Sequence, residues 1–165
     1  MKIEIESRES IKARATAPFP ARTALISLTD SDKDFVALPN KPEYLLQLKF
    51  DDVSDDIFEE ILGRQPTADE VVRLAQKFRL FNNEQANEIA AFATSILGKA
   101  EILICQCEYG QSRSAGLAAA VSQFLYGDGI EIFADKRYFP NKLVYKTALL
   151  ALKLNKEERQ NEHNP

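Results

Sequence analysis

One stretch constrains this chain more than any other. The apolar run Ile102-Leu103-Ile104-Cys105 leads through Gln106 into Cys107-Glu108-Tyr109-Gly110-Gln111-Ser112-Arg113-Ser114, and then into Ala115-Gly116-Leu117-Ala118-Ala119-Ala120-Val121. The first piece reads as a buried strand and the last as a buried, alanine-rich helix. The residues between them must therefore reverse the chain in a tight loop. Such a strand–loop–helix turn aims its backbone N–H groups, and the positive end of the helix dipole, at one spot. That spot suits a tetrahedral oxyanion and favours the thiolate form of a cysteine held there, which makes Cys107 a candidate nucleophile. Arg113, five residues later, adds a planar fork able to grip two phosphate oxygens at once. The N–H groups of residues 108–113 are the expected cradle for the oxygens, and Ser114 stands beside the thiol as a hydrogen-bond donor.

The spacing resembles the cysteine-dependent protein tyrosine and dual-specificity phosphatases, whose signature is His-Cys-x5-Arg-Ser/Thr. Cys107, Gly110, Arg113 and Ser114 match it, and Ser112 is familiar from the dual-specificity branch. The departure is Gln106, which stands where that family usually carries histidine. The resemblance is strongest over residues 101–125 and extends over about 22–154. It implies a single-domain α/β fold with a central, mostly parallel sheet flanked by helices. It also implies phosphate monoester hydrolysis through a cysteinyl-phosphate intermediate, with neither metal nor cofactor. Glu108, Tyr109, Gly110, Gln111, Ser112 and Arg113 would line the substrate pocket. Relatives acting on inositol phosphates tend to carry lysines in this loop; here there are none, and Glu108 disfavours very highly charged ligands.

A thiolate attacking a phosphate ester needs an acid for the leaving oxygen. In this family the acid is an aspartate on a loop after a neighbouring strand. Leu48-Lys49-Phe50-Asp51-Asp52 is such a segment, and the aromatic–acid–Asp pattern selects Asp52, with Asp51, Asp55 and Asp56 as competitors. The 55 positions between Asp52 and Cys107 exceed the spacing of compact dual-specificity enzymes. Cys105, on the same strand face as Cys107, is either a packing residue or a redox partner.

The bulk numbers narrow the remaining classes. A length of 165 residues suits one domain over residues 1–154, followed by a polar tail over 155–165. A net charge of −4 gives a nucleic-acid partner no electrostatic support. No apolar run approaches the roughly 20 residues a membrane span requires. Two cysteines beside the loop and no apolar N-terminal core fit a reducing cytoplasm. The one histidine, His163, lies in the polar tail, which argues against histidine general bases and histidine metal sites.

The expected elements alternate. Residues 2–6 read as an edge strand, 7–20 as a turn of helix closing into a loop, and 24–28 and 44–50 as strands. Helices are expected over 53–63, over 67–79 with a Thr67/Glu70 capping box, over 83–98 and beyond Pro140-Asn141, where the alternative for the Tyr138-to-Tyr145 stretch is to flank the loop after Cys107. The 67–79 helix has Ala68, Val71, Val72, Ala75 and Phe78 on one face, and residues 155–165 should fray. Alternation of this kind predicts a parallel sheet with ligands at the carboxyl ends of its strands. The expected substrate is phosphotyrosine on a protein. The rivals are a binding module that holds phosphorylated ligands without turnover, and an enzyme acting on a small or other non-protein phosphoester.

Overall fold

The computed structural model describes residues 1–54 and 62–162. The elements in chain order are β1 (Lys2–Ser7), α1 (Arg8–Arg14), β2 (Thr23–Thr29), β3 (Tyr44–Lys49), α2 (Ala68–Ala75), α3 (Asn83–Ser95), β4 (Ile102–Cys107), α4 (Arg113–Tyr126), α5 (Ile130–Ala134) and α6 (Lys142–Glu162). The four strands form one wholly parallel sheet in the order β1-β4-β2-β3. The expected α/β architecture is therefore present, with β1 at an edge and β4 beside β2 in the interior.

Alternation along the strands assigns the two faces. Ala24, Ile26, Leu28, Leu103, Cys105 and Cys107 join the larger core, which α3, α4 and α6 cover through Ile89, Leu117, Val144 and Leu152. Leu25 and Ile104 point to the other face, against Ile11 of α1 and Val36. Central strands covered on both sides read as continuous apolar runs, as β2 and β4 do. Each fully buried Leu or Ile contributes roughly 1.5–3 kcal/mol, so both faces are needed to order the sheet.

The helix boundaries follow local chemistry. Ser7 accepts from Ser10 N at 3.1 Å and caps α1, with Glu9 in the first turn and Lys12 and Arg14 in the last. Asn82 and Gln85 form a capping box on α3. Gly98 at φ +73° and Gly127 at φ +78° supply the left-handed residues that follow α3 and end α4. The expected Thr67/Glu70 box is present, with the Glu70 carboxylate accepting from Thr67 N at 2.9 Å. The face predicted for that helix is only partly covered: Val72 is 57% exposed and Ala68 is exposed, while Val71 and Phe78 are half-buried. The charged pair Arg64–Glu70 and the capping box hold this end instead. Residues 155–162, expected to fray, continue α6 to Glu162. Most of the helix expected over 53–63, together with Asp55 and Asp56, lies outside the described residues.

α4 and the start of α6 meet at a backbone contact. A Cβ on Gly116 would stand 2.5 Å from the Asn141 carbonyl oxygen, a separation that real side chains do not tolerate. Gly116→Ala should therefore push the start of α6 away from α4 and cost about 1–3 kcal/mol, the usual range for overpacking. Urea denaturation followed by circular dichroism checks it; an unchanged midpoint would mean that the contact relaxes freely.

Candidate active site

The loop between β4 and α4 lies at the carboxyl end of the sheet, and its shape is set by what packs behind it. Gly110 adopts φ +70°, and a Cβ there would meet Ser7 N at 2.7 Å and Glu6 C at 2.8 Å. Only glycine both reaches this conformation cheaply and allows the loop to rest on the end of β1. The loop's carbonyls are turned outward into the scaffold. Glu108 O accepts from Arg8 N, Gln111 O from Phe139 N, and Ser112 O from both Gly116 N and Asn141 N. Among the described residues, the N–H groups of residues 108–112 make no backbone hydrogen bond outside the helices and strands. Ser112, the residue before α4, gives that helix no side-chain cap. The result is an uncapped helix N-terminus beside a run of free N–H donors, the arrangement that binds anions.

Cys107 is buried at the base of this loop, with its Sγ 3.0 Å from Ser114 Oγ. Cys105 lies two residues earlier on the same sheet face, fully buried. Burial and the neighbouring Cys107 push its thiol far above the ordinary range, so Cys105 remains a neutral packing group. Gln106 points to the opposite face. It accepts from Ser27 Oγ at 2.6 Å and donates from Nε2 to the Cys107 carbonyl at 2.7 Å. A neutral amide thus fixes the backbone of Cys107 from beneath the sheet.

Arg113 is 1% exposed. Its Nη2 lies 2.5 Å from Asp30 Oδ1, its Nη1 donates to the Phe50 carbonyl at 2.6 Å, and its Nε is 3.7 Å from Asp52 Oδ2 without a hydrogen bond. The Phe50 ring stacks near the guanidinium at 5.8 Å. Asp52 Oδ1 accepts from Ser112 Oγ at 2.7 Å and from Asn141 Nδ2 at 2.9 Å. The structure therefore brings Cys107, Ser112, Arg113, Ser114 and Asp52 together. Asp51 is spent elsewhere: its Oδ1 accepts from Ser31 N and Ser31 Oγ, and its Oδ2 from Arg79 N at 2.7 Å.

Three contributors, Asp30, Lys33 and Arg8, are not singled out by the sequence. Asp30 is the ion-pair partner of Arg113. It sits at the carboxyl end of β2, the same kind of position that singled out Asp52 beyond β3, so the topological rule could have found it. Asn141, in the stretch expected to start a helix or to flank the loop, does both: it caps α6 by accepting from Val144 N at 3.0 Å and holds Asp52 beside the loop. Lys33 Nζ lies 2.8 Å from Asp30 and 3.4 Å from Glu108, and Arg8 Nη1 is 3.9 Å from the same glutamate. Two cations therefore answer the Glu108 charge. Tyr109 and Phe139 flank the loop, 76% and 72% exposed. Gln111 is exposed at the rim between them in sequence.

No family model matches the sequence, and no curated protein does either. Solved structures do share the fold. PTPMT1 in complex with PI(5)P superposes with a TM-score of 0.55 at 11% identity, covering 96% of this chain and 94% of that one. A second PTPMT1 structure gives 0.51 at 13% identity, covering 97% and 95%. Human DUSP28 gives 0.49 at 11% identity, with 94% of each chain covered. Among the described residues, no helix is long and apolar enough to cross a membrane.

The carboxylates that build this end of the sheet dictate its response to acid. Burial raises the pKa of Asp51, but the hydrogen bonds from Ser31 and Arg79 outweigh it and hold the group below its ordinary 3.8. Asp30 is likewise lowered: burial opposes, while Lys33 and Arg113 prevail. A carboxylate depressed in the native state adds stability that is complete above the unfolded-state pKa and is lost as pH falls through the native one. Stability should therefore decline below about pH 4, and Asp51→Asn should flatten that decline while lowering stability at neutral pH. Chemical denaturation at a series of pH values measures both; an acid limb as steep as wild type would remove Asp51 from this role.

Proposed function

We propose that this chain hydrolyses phosphate monoesters with Cys107 as nucleophile, with aryl esters such as protein phosphotyrosine as the preferred class. The observation that supports it most is a convergence. A thiol lies 3.0 Å from a hydroxyl at the base of an uncapped helix, and a carboxylate from the next-but-one strand is tied to the same loop by the 2.7 Å Ser112–Asp52 hydrogen bond.

The reaction follows from those groups. The Cys107 thiolate attacks phosphorus as the ester P–O bond breaks, and the leaving oxygen takes a proton from Asp52. Asp52 Oδ1 is occupied by Ser112 and Asn141, so Oδ2, which makes no hydrogen bond, is the atom that carries the proton. Asp51, with both oxygens engaged, is a loop staple in this reading. The loop N–H groups and Arg113 stabilise charge on the equatorial oxygens. Water then attacks phosphorus, the S–P bond breaks, and Ser114 Oγ donates to the departing thiolate. Asp52, now ionised, accepts the water's proton. The exposed rings of Tyr109 and Phe139 on either side of the loop favour an aromatic leaving group. A second reading, a non-protein phosphoester, rests on Arg8 and Lys33 beside the loop and on the PI(5)P bound by a protein of the same fold. Turnover of a phosphotyrosine peptide against PI(5)P separates the two.

The nucleophile is tested first. Cys107→Ser should abolish turnover of para-nitrophenyl phosphate, measured with chelator present, while vanadate binding persists; Cys105→Ser should retain most activity. Undiminished turnover in Cys107→Ser would exclude a thiol mechanism. Arg113→Lys keeps the charge but loses the fork, and should lower kcat/KM about 10²–10³-fold, the scale for losing one oxyanion donor.

The acid is tested through the leaving group. Phenyl phosphate needs protonation far more than para-nitrophenyl phosphate does. Asp52→Asn should slow the former about 10²-fold more than the latter. Asp51→Asn should instead affect both alike, through stability. The reverse pattern would transfer the acid role to Asp51.

A further inference from the structure

We infer that the free edge of β1 is a docking site for an extended, basic polypeptide segment, which adds to the sheet as a fifth strand. The argument starts with the backbone. Lys2 N donates to Glu101 O at 2.7 Å and Arg8 N to Glu108 O at 3.0 Å, so the even-numbered residues of β1 face β4. The odd-numbered residues then direct their N–H and C=O groups outward. At one end of the strand the Met1 carbonyl is taken by Tyr126 Oη at 2.6 Å. At the other, Ser7 N is covered by Gly110 of the phosphate loop. Between these two closures the N–H and C=O groups of Ile3 and Ile5 have no partner among the described residues. An open ladder of this kind is a template for another strand.

The surroundings turn the edge into a slot. A cavity of about 700 Å³ runs along Lys2–Glu6 under a wall that includes Tyr126, Glu131, Ile132, Asp135 and Tyr138. Ile132 and Tyr126 give the wall an apolar surface. Asp128, Glu131 and Asp135 make it acidic, and the two cations lining the slot, Arg137 and Lys2, are already paired with Asp135 and Glu4. The carboxylate of the exposed Glu131 accepts no hydrogen bond and joins no ion pair among the described residues; only its backbone is bonded, to Asp128 and Asp135. A segment of alternating basic and β-branched residues satisfies all three features at once: ladder, apolar wall and unanswered charge. A second copy of this chain fits worse, since pairing β1 edge to edge would set two acidic walls against each other in a molecule of net charge −4. The site is separate from the reacting groups and does not depend on how the phosphate loop is read.

The test uses the wild-type protein and a fluorescein-labelled hexapeptide, Lys-Val-Lys-Val-Lys-Val, followed by anisotropy. Binding should be saturable, and Glu-Val-Glu-Val-Glu-Val should not bind. Ile5→Pro removes one outward N–H without touching the bonds to β4, and should weaken binding about tenfold, as expected for losing one partnered backbone group. Glu131→Lys should weaken it comparably without altering the ladder. N-methylating one alternate set of peptide amides should abolish binding, whereas methylating the other set should not. Equal binding of the acidic peptide, or indifference to both protein variants, would overturn the inference. So would a concentration-dependent dimer that Ile5→Pro dissolves, because the edge would then belong to a second copy. Para-nitrophenyl phosphate turnover and circular dichroism verify that Ile5→Pro remains folded, and Glu131→Lys carries the test if it does not.

Discussion

The guanidinium of Arg113 is almost fully buried, and a buried charge must be paired and hydrogen-bonded or the fold pays several kcal/mol for it. No single element can meet that demand. Asp30 arrives from the end of β2, the Phe50 carbonyl and Asp52 from the end of β3, while Arg113 itself opens the helix that follows β4. In a parallel sheet all three carboxyl ends lie on one side, and the order β4-β2-β3 places the contributing loops within reach. The loops after β2 and β3 are further tied to one another through Asp51 and Ser31. Asn141 adds the start of α6 by bonding Asp52 and Val53. Breaking the Arg113–Asp30 pair would therefore disturb several segments at once, which is why the candidate site and the stability of this end of the sheet cannot be altered independently.

How far the sequence was legible depended on whether a residue's partner was near it in the chain. Period located all four strands and most helix starts, though not the short α5. The Thr67 cap was legible because its partner Glu70 stands three residues on. The C-x5-R loop was legible for the same reason. Its contributors from afar were not. Asp30 and Arg113 are 83 positions apart and Asn141 and Asp52 are 89 apart, so neither pairing shows in a local pattern, although the place of Asp30 at the carboxyl end of a strand was itself readable. Val72 illustrates the converse error. Helical spacing placed it on one apolar face with Val71 and Phe78, yet those two are half-buried while Val72 is 57% exposed.

Gln106 shows how a departure from a familiar pattern can be read through its bonds. Strand alternation turns its side chain away from the thiol and toward Ser27 on the neighbouring strand. Its amide supplies an acceptor for that hydroxyl and a donor for the Cys107 carbonyl. A group that both accepts and donates in a buried position is what the site requires, and an amide provides it at any pH, whereas an imidazole does so only in its neutral form. Gln106 therefore anchors the backbone of Cys107 without placing a titrating group beneath it.

The polar atoms left without protein partners point to the same place. Among the described residues, the buried side-chain atoms with no hydrogen bond are Arg8 Nη1, Thr29 Oγ1, Glu108 Oε2 and Arg113 Nε. Thr29 ends β2, Arg8 follows β1, and the other two belong to the phosphate loop, so all four lie at the carboxyl end of the sheet. Folded proteins satisfy nearly all buried polar groups, because each orphan costs about 1–3 kcal/mol. A cluster of orphans is destabilising in isolation and is tolerated where a site must meet something beyond the protein's own groups. Two of the four are cationic N–H donors. Arg113 Nε faces Asp52 Oδ2 at 3.7 Å, too far for a hydrogen bond, so the energetic deficit of this end of the sheet is concentrated where the loops after β3 and β4 meet.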